Sequence, residues 1–332
     1  MKTKDKVIDL LKRNRGEYLS GQQIADKLFV TRACVWKCIK ALIEEGYEID
    51  AITNKGYRLK VHGVGVNEEY IREQLNEINC DMEIFYKEEV VSTNVEALDF
   101  ARENAKDGVF IADSQTGGRG RRGRSFFSPK GTGLYMSLLL HLGEEFNQIG
   151  KITAITACAV AKAIDDSLEL EEEDKSKIKW VNDIFYKEKK VCGILCEFHS
   201  SLEDLQSQCV VIGIGINVFW PEQGFPKDIS KTAGSLVRGD NQEFADIKNK
   251  LVIEIIKNLM HYYKDGDATK ECLNIYREKS FLLGSYIKIN PFDGNSRYAK
   301  AVVINEDYHL IVEYDNGQKE ELSSGEVSTV KY

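Results

Sequence analysis

The chain has 332 residues, 42% hydrophobic and 30% charged, with a net charge of −8. This is the profile of a globular protein of two or three domains. No apolar run is long enough to cross a bilayer, and the basic start (Met1 to Asp5) lacks the apolar stretch of a signal peptide, so no membrane is expected and the cytoplasm is the expected location.

The eight cysteines are scattered, as in an intracellular chain. Cys34/Cys38 and Cys192/Cys196 share a Cys-x-x-x-Cys spacing. His199 lies near Cys196, but four zinc ligands cannot be assembled, so these read as ordinary thiols. Charge is uneven: residues 1–60 carry 13 Lys/Arg against 8 Asp/Glu, and the remainder 32 against 45. Only the first segment is suited to a polyanion.

In chain order, Val7, Ile8, Leu10 and Leu11 form the stripe of a first helix that ends before Gly16. Ser20 and Gln23 make a capping box for a second, reaching about Leu28. After Phe29-Val30, Thr31 caps a third, which Gly46 terminates. Its Val35, Ile39, Leu42 and Ile43 should face inward, leaving Arg32, Trp36, Lys37 and Lys40 outside. Tyr47–Ile49 and Tyr57–Leu59 flank the Asn54-Lys55-Gly56 turn as a wing. Two helices with a tight turn, the second basic, predict a winged helix-turn-helix, with Arg32, Trp36, Lys37, Lys40 and Lys55 on the DNA. A three-helix protein-interaction module with solvated charges is the alternative.

Gly63 to Val66 is a candidate linker. Beyond it helices and strands alternate: a helix over 67–76, a strand over 82–90, a helix capped by Thr93 and Glu96 to about Asn104, and a strand over 109–114. Gly118-x-Gly120-x-x-Gly123 formally matches the dinucleotide fingerprint. That motif needs a helix after its third glycine, whereas Ser125 to Gly131 includes Pro129 and Gly131, which oppose one. Four arginines and four glycines over Gly117–Arg124 instead suggest an anion-gripping loop, mobile when empty. An RNA-binding tract or a linker is the competing reading, disfavoured by the loop's place between apolar strands of an acidic domain. Strands follow at 134–141, around Lys190–Glu197 and at 211–217, with a helix at about 150–168 and others at about 241–265 and 268–280. Short strand-like segments at 285–290, 297–304, 310–314 and 326–330, separated by turn signals, predict a small C-terminal barrel.

Ser92-Thr93-Asn94, Gln115 with Gly118–Arg124, Lys179-Trp180-Val181-Asn182-Asp183, Lys190-Val191-x-Gly193-Ile194-Leu195-x-Glu197 and Gly213-Ile214-Gly215-Ile216-Asn217 together resemble the biotin–protein ligases, in particular the bifunctional type that represses biotin genes. The resemblance covers nearly the whole chain and implies an α+β fold in three parts. These are a winged helix-turn-helix (1–63), a mixed-sheet ligase domain like class II aminoacyl-tRNA synthetases (67–280) and an SH3-like small barrel (283–332). It implies formation of biotinyl-5′-AMP from biotin and ATP with Mg²⁺, then transfer to a lysine of the biotin carboxyl carrier protein. The adenylate-bound chain would form a homodimer on operator DNA.

By the same resemblance, Ser92, Thr93, Asn94 and Gln115 hold the ureido end of biotin, and Arg119, Gly120, Arg121, Lys190 and Gly193 also contact biotin. Arg119, Arg121, Arg124, Phe126, Lys179, Asn182 and Asn217 contact the nucleotide, with Phe126 covering the adenine. Arg121 and Lys190 are the catalytic pair, and Asp183 is a candidate metal contact. The chain departs from the family at Val181, where proline is usual, and at Cys192, where alanine is usual. A lipoate–protein ligase is the nearest enzymatic rival, and a biotin-sensing transcription factor the non-enzymatic one.

Overall fold

A computed structural model describes residues 3–14, 18–44, 49–53, 55–59, 65–141, 149–199, 208–238, 244, 246–264, 266–290 and 295–329. The chain divides into two units, residues 1–66 with 239–248, and residues 67–238 with 249–332. The expected signals at Gly16, Gly46, Tyr47-Glu48, Asn54, Gly63-Val64 and Asp293-Gly294 lie outside the described residues.

The first unit begins with α1 (Thr3–Arg13), α2 (Gly21–Leu28) and α3 (Arg32–Glu44). The Ser20 hydroxyl accepts from Gln23 N–H while the Gln23 side chain accepts from Ser20 N–H, the reciprocal box that satisfies two orphan donors. Thr31 Oγ1 accepts from Cys34 N–H at 3.2 Å and caps α3. Val7, Leu11, Ile24, Val35, Ile39 and Leu42 form a shared apolar core. Ile43 departs from its expected inward position: it is 45% exposed, because the inward stripe is already completed by Leu42 one residue earlier. The wing is an antiparallel pair, β1 (Ile49–Ile52) with β2 (Gly56–Leu59), to which Leu19 adds a single bridge at Tyr57.

The second unit is built on α4 (Glu68–Glu77), β3 (Glu83–Val90), α5 (Thr93–Ala101), β4 (Gly108–Gln115), β5 (Gly133–His141), α6 (Ile149–Ser167), β6 (Lys177–Lys179), β7 (Asp183–Tyr186), β8 (Lys189–His199) and β9 (Cys209–Asn217). Its seven-stranded sheet runs β3-β4-β5-β9-β8-β7-β6, with β3 and β4 parallel and the remaining neighbours antiparallel. This is the mixed sheet expected. Helix α5 packs against β4, β5 and β9, and α6 against β6, β7 and β8. Central β5 is buried along almost its whole length, which accounts for its continuous apolar run.

Helix α5 corrects one expectation. Its N-cap is Ser92 rather than Thr93, and no side chain caps it; the Thr93 hydroxyl, one residue inside the helix, lies against Ser137 instead. Helices α7 (Ile247–Lys264) and α8 (Gly266–Lys279) follow. Then β10 (Tyr286–Asn290), β11 (Arg297–Ile304), β12 (Leu310–Glu313), β13 (Lys319–Leu322) and β14 (Glu326–Thr329) pair as an antiparallel sheet in the order β13-β12-β11-β10-β14. Sequence reading missed β13, whose Lys319-Glu320-Glu321 is too charged to signal a strand. Among the described residues no helix is long and apolar enough to cross a membrane.

Candidate active site

A cleft of about 370 Å³ opens in the second unit. It is lined by every residue expected to touch biotin or the nucleotide: Ser92, Thr93, Asn94, Gln115, Arg119, Gly120, Arg121, Arg124, Phe126, Lys179, Asn182, Lys190, Gly193 and Asn217, with Asp183 beside them. The loop and strands that carry these side chains are far apart in sequence, and the sheet order brings them together.

Glycines form the floor. Gly213 and Gly215 lie on one face of β9, and Gly215 pairs with Gly193 of β8. A Cβ on Gly213 would come within 2.3 Å of Asn94 Oδ1, and one on Gly215 within 2.5 Å of the Phe126 ring. A Cβ on Gly193 would lie 3.4 Å from both the Phe126 ring and Lys190 Nζ. Along this floor run an amide, an aromatic ring and an ammonium group. The Phe126 ring, expected over an adenine, lies on the Gly193–Gly215 pair.

Lys190 reaches this position through a bulge. Across β7 and β8, Ile184 opposes Cys192 but Phe185 opposes Lys190, which leaves Val191 as the extra residue. Residues three apart on a regular strand face opposite sides. The inserted residue shifts the alternation by one, so that Lys190 stands over Gly193. Its Nζ pairs with Asp183 Oδ1 at 2.6 Å.

The end of the cleft lined by uncharged amides and hydroxyls is a hydrogen-bond network that ends on the Glu197 carboxylate. Gln115 Oε1 accepts from Thr93 N–H at 2.9 Å, and Gln115 Nε2 donates to Ser128 Oγ at 3.0 Å. Asn94 Nδ2 donates to Glu197 Oε2 at 2.7 Å. The fully buried Ser137 hydroxyl sits 2.7 Å from Thr93 Oγ1 and 2.6 Å from Asn94 Oδ1. Ser137 and Ser128 were missed by sequence reading, and Glu197 appeared only as a motif letter. A hydroxyl in the midst of apolar β5 was the available signal for Ser137.

The cationic end draws on Arg121, Lys179 and Lys190. Burial lowers the Arg121 and Lys179 pKa values from their ordinary range, against the opposing pull of Asp183. Arg121 Nη1 donates to Asn182 Oδ1 at 3.1 Å, and Asn182 Nδ2 to Ile194 O at 2.8 Å. Asn182 is therefore firmly held although Val181 precedes it; the Trp180–Val181 peptide is cis. Asn217 Nδ2 donates to Gly234 O at 3.0 Å.

The glycine–arginine loop is a tight hairpin. Gly120 N–H donates to Arg124 O and Phe126 N–H to Gly118 O, with a 3₁₀ turn at Arg121–Gly123. Mutual repulsion was expected to leave the loop mobile when empty. The opposing restraint is Glu326 of β14, which accepts from Arg124 Nη2 at 2.7 Å and Arg122 Nη1 at 3.3 Å; Arg122 also donates to Asn290 O. No local signal could have found Glu326, which lies 202 residues from Arg124. Asp183 and Glu326 are the carboxylates lining the cleft, and both are committed to cations. A divalent ion would need oxygen ligands from elsewhere, such as a polyphosphate. Among the described residues no three His, Cys, Asp or Glu gather to hold a metal.

In the first unit, Arg32, Trp36, Lys37 and Lys40 are exposed on α3 and Lys55 on the wing turn, all on the surface expected to meet DNA. Lys40 Nζ lies 5.8 Å from the Trp36 ring centroid.

The comparisons with known proteins agree for both units. Residues 87–217 match the biotin/lipoate A/B protein ligase family, and residues 3–58 an HTH domain. The chain is 32% identical to the bifunctional ligase/repressor BirA of Bacillus subtilis over 94% of each chain. It is 33% identical to the Escherichia coli BirA over 64% of this chain and 63% of that one. Among solved structures, the biotin protein ligase of Aquifex aeolicus in complex with biotin and ATP superposes with a TM-score of 0.59 at 27% identity. It covers 75% of this chain and 99% of its own.

Proposed function

The chain belongs to the biotin–protein ligase family in its bifunctional ligase/repressor form, and from that premise we propose the roles of its site residues. The protein is a ligase that condenses biotin with ATP to biotinyl-5′-AMP and diphosphate, then transfers the biotinyl group to a lysine of the biotin carboxyl carrier protein. Its helix-turn-helix makes it also a DNA-binding repressor of biotin genes.

One observation carries the assignment of roles. The glycine floor runs from a neutral network at Asn94, under the Phe126 ring, to the ammonium group of Lys190. Biotin has a neutral urea at one end and a carboxylate at the other, which matches this polarity. In the first step a carboxylate oxygen attacks the α-phosphorus, an oxygen–phosphorus bond forms, and diphosphate leaves. Two anions must approach, so Arg119, Arg121 and Lys190 neutralise carboxylate and phosphate as charge shifts to the leaving group. Arg124, Lys179, Asn182 and Asn217 contact the nucleotide, and the Phe126 ring moves from the glycine pair to cover the adenine. Mg²⁺ bound to ATP would supply screening of the phosphate charge. In the second step the carrier lysine attacks the acyl carbon and AMP leaves, with Lys190 steadying the acyl phosphate oxygens.

Incubation with ATP, Mg²⁺, biotin and a carrier domain should biotinylate one carrier lysine, read by mass. No labelling by the wild type would remove the ligase reading; full labelling by Lys190→Ala would remove that residue's role. Biotinyl-5′-AMP is further proposed to promote a homodimer that spans two operator half-sites in the cytoplasm. Sedimentation with and without the adenylate tests this, and equal dimer fractions reject it.

A further inference from the structure

We infer that Ser137 and Glu197 are positioning residues that set the direction of the hydrogen bonds with which the neutral end of the cleft reads its ligand. The inference rests on the biotin-ligase reading above and concerns residues to which that reading gives no role.

A carboxylate only accepts, so Glu197 fixes the Asn94 amide with Nδ2 toward it, at 2.7 Å. Asn94 Oδ1 then faces Ser137 Oγ at 2.6 Å and can only accept, which commits the single Ser137 proton. The 2.7 Å contact between Ser137 and Thr93 must therefore use the proton of Thr93. Gln115 Oε1, at 3.3 Å, is the poorer partner for that proton and already accepts from Thr93 N–H. The outcome is a one-way relay from Thr93 through Ser137 to Asn94, ended by Glu197. It leaves Thr93 Oγ1 as an acceptor, with a second proton on each of Asn94 Nδ2 and Gln115 Nε2 as donors.

A cyclic urea has the complementary pattern, an N–H that donates beside a carbonyl that accepts. Ser137 is fully buried, and its hydroxyl is the one group that joins Thr93 to Asn94. Gly213 holds the relay closed from below, because any side chain there would collide with Asn94 Oδ1.

Glu197→Gln supplies a donor where the carboxylate had none. The Asn94 amide can then turn over, Ser137 donates to Thr93, and Thr93 becomes a donor. The Michaelis constant for biotin should rise on the order of tenfold, the loss of about one hydrogen bond, while that for ATP and the turnover at saturation hold. Ser137→Ala should raise the same constant by a similar factor. A second measurement separates direction from simple damage: biotin methylated at one or the other ring nitrogen. The wild type should penalise one isomer about tenfold for its missing donor, and Glu197→Gln should reduce that penalty. Steric cost is the same in both enzymes and cancels. Unchanged biotin affinity in both variants, or an equal penalty in wild type and Glu197→Gln, overturns the inference. Failure of the wild type to bind biotin would overturn the ligase reading instead.

Discussion

Two cationic surfaces of the chain handle charge in opposite ways. On α3, Arg32, Lys37 and Lys40 stand exposed to solvent. In the cleft, each anchored arginine has a named partner: Arg121 has Asn182, and Arg122 and Arg124 have Glu326. Exposed charges can follow a long, repeating polyanion such as a phosphate backbone, where salt decides affinity. Arg121, half-buried and held by Asn182, is positioned in advance for one small anion, and its partial desolvation strengthens the attraction when it arrives. On the proposed roles, similar residue types would serve a polymer in one unit and a reaction in the other.

Removing a charge from the cleft should be the costliest change. Arg121→Ala should slow adenylate formation on the order of a hundred- to a thousandfold, the cost of removing a charge-stabilising donor. Pyrophosphate release measures it directly. A loss of only a few-fold would mean that the buried arginine is no better placed than a surface one.

The α3 surface should fail differently. Replacing Arg32, Lys37 and Lys40 together by alanine should lower operator affinity on the order of tenfold or more. The salt dependence of binding should flatten by about one unit of slope for each residue that contacts a phosphate. Titrations at several salt concentrations give the slope. An unchanged slope would mean that these side chains do not meet phosphates and would favour a protein partner for the helix.

Legibility in the sequence follows the same division. The winged unit could be read almost entirely, because its caps and stripes are local: Ser20 and Gln23 are three residues apart and α1 to α3 share one apolar period. Ile43 misled because periodicity marks a stripe but not its edge. In the ligase unit the motifs were legible but their joints were not. Val191 looks like any strand residue, and only its unpaired place opposite β7 shows that it turns Lys190 into the cleft. Ser137 and Glu326 act across 43 and about 200 residues of chain, respectively, so no local pattern announces them. Thr93 was taken for a cap because Ser/Thr-x-x-Glu is a cap pattern; a buried hydroxyl on β5 competes for its side chain.

Loss of the Glu326 clasp should cost less than either of these changes. Hydrogen bonding from Arg124 holds the Glu326 carboxyl below the usual glutamate range. A group with a lowered folded-state value contributes stability above its unfolded value and loses it as pH falls through the folded one. The clasp is thus complete at neutral pH and opens only in acid, below the ordinary carboxylate range. Glu326→Gln should remove this acid limb from the pH dependence of thermal melting. Because the pair is partly exposed, the neutral-pH cost should be at most about 1 kcal/mol. The same variant frees Arg122 and Arg124 to move toward phosphate, so the Michaelis constant for ATP should shift by less than about fivefold. A much larger shift, with melting unchanged, would show that Glu326 acts on the nucleotide itself. The clasp would then be part of the reaction's charge arrangement and not a restraint on the empty loop.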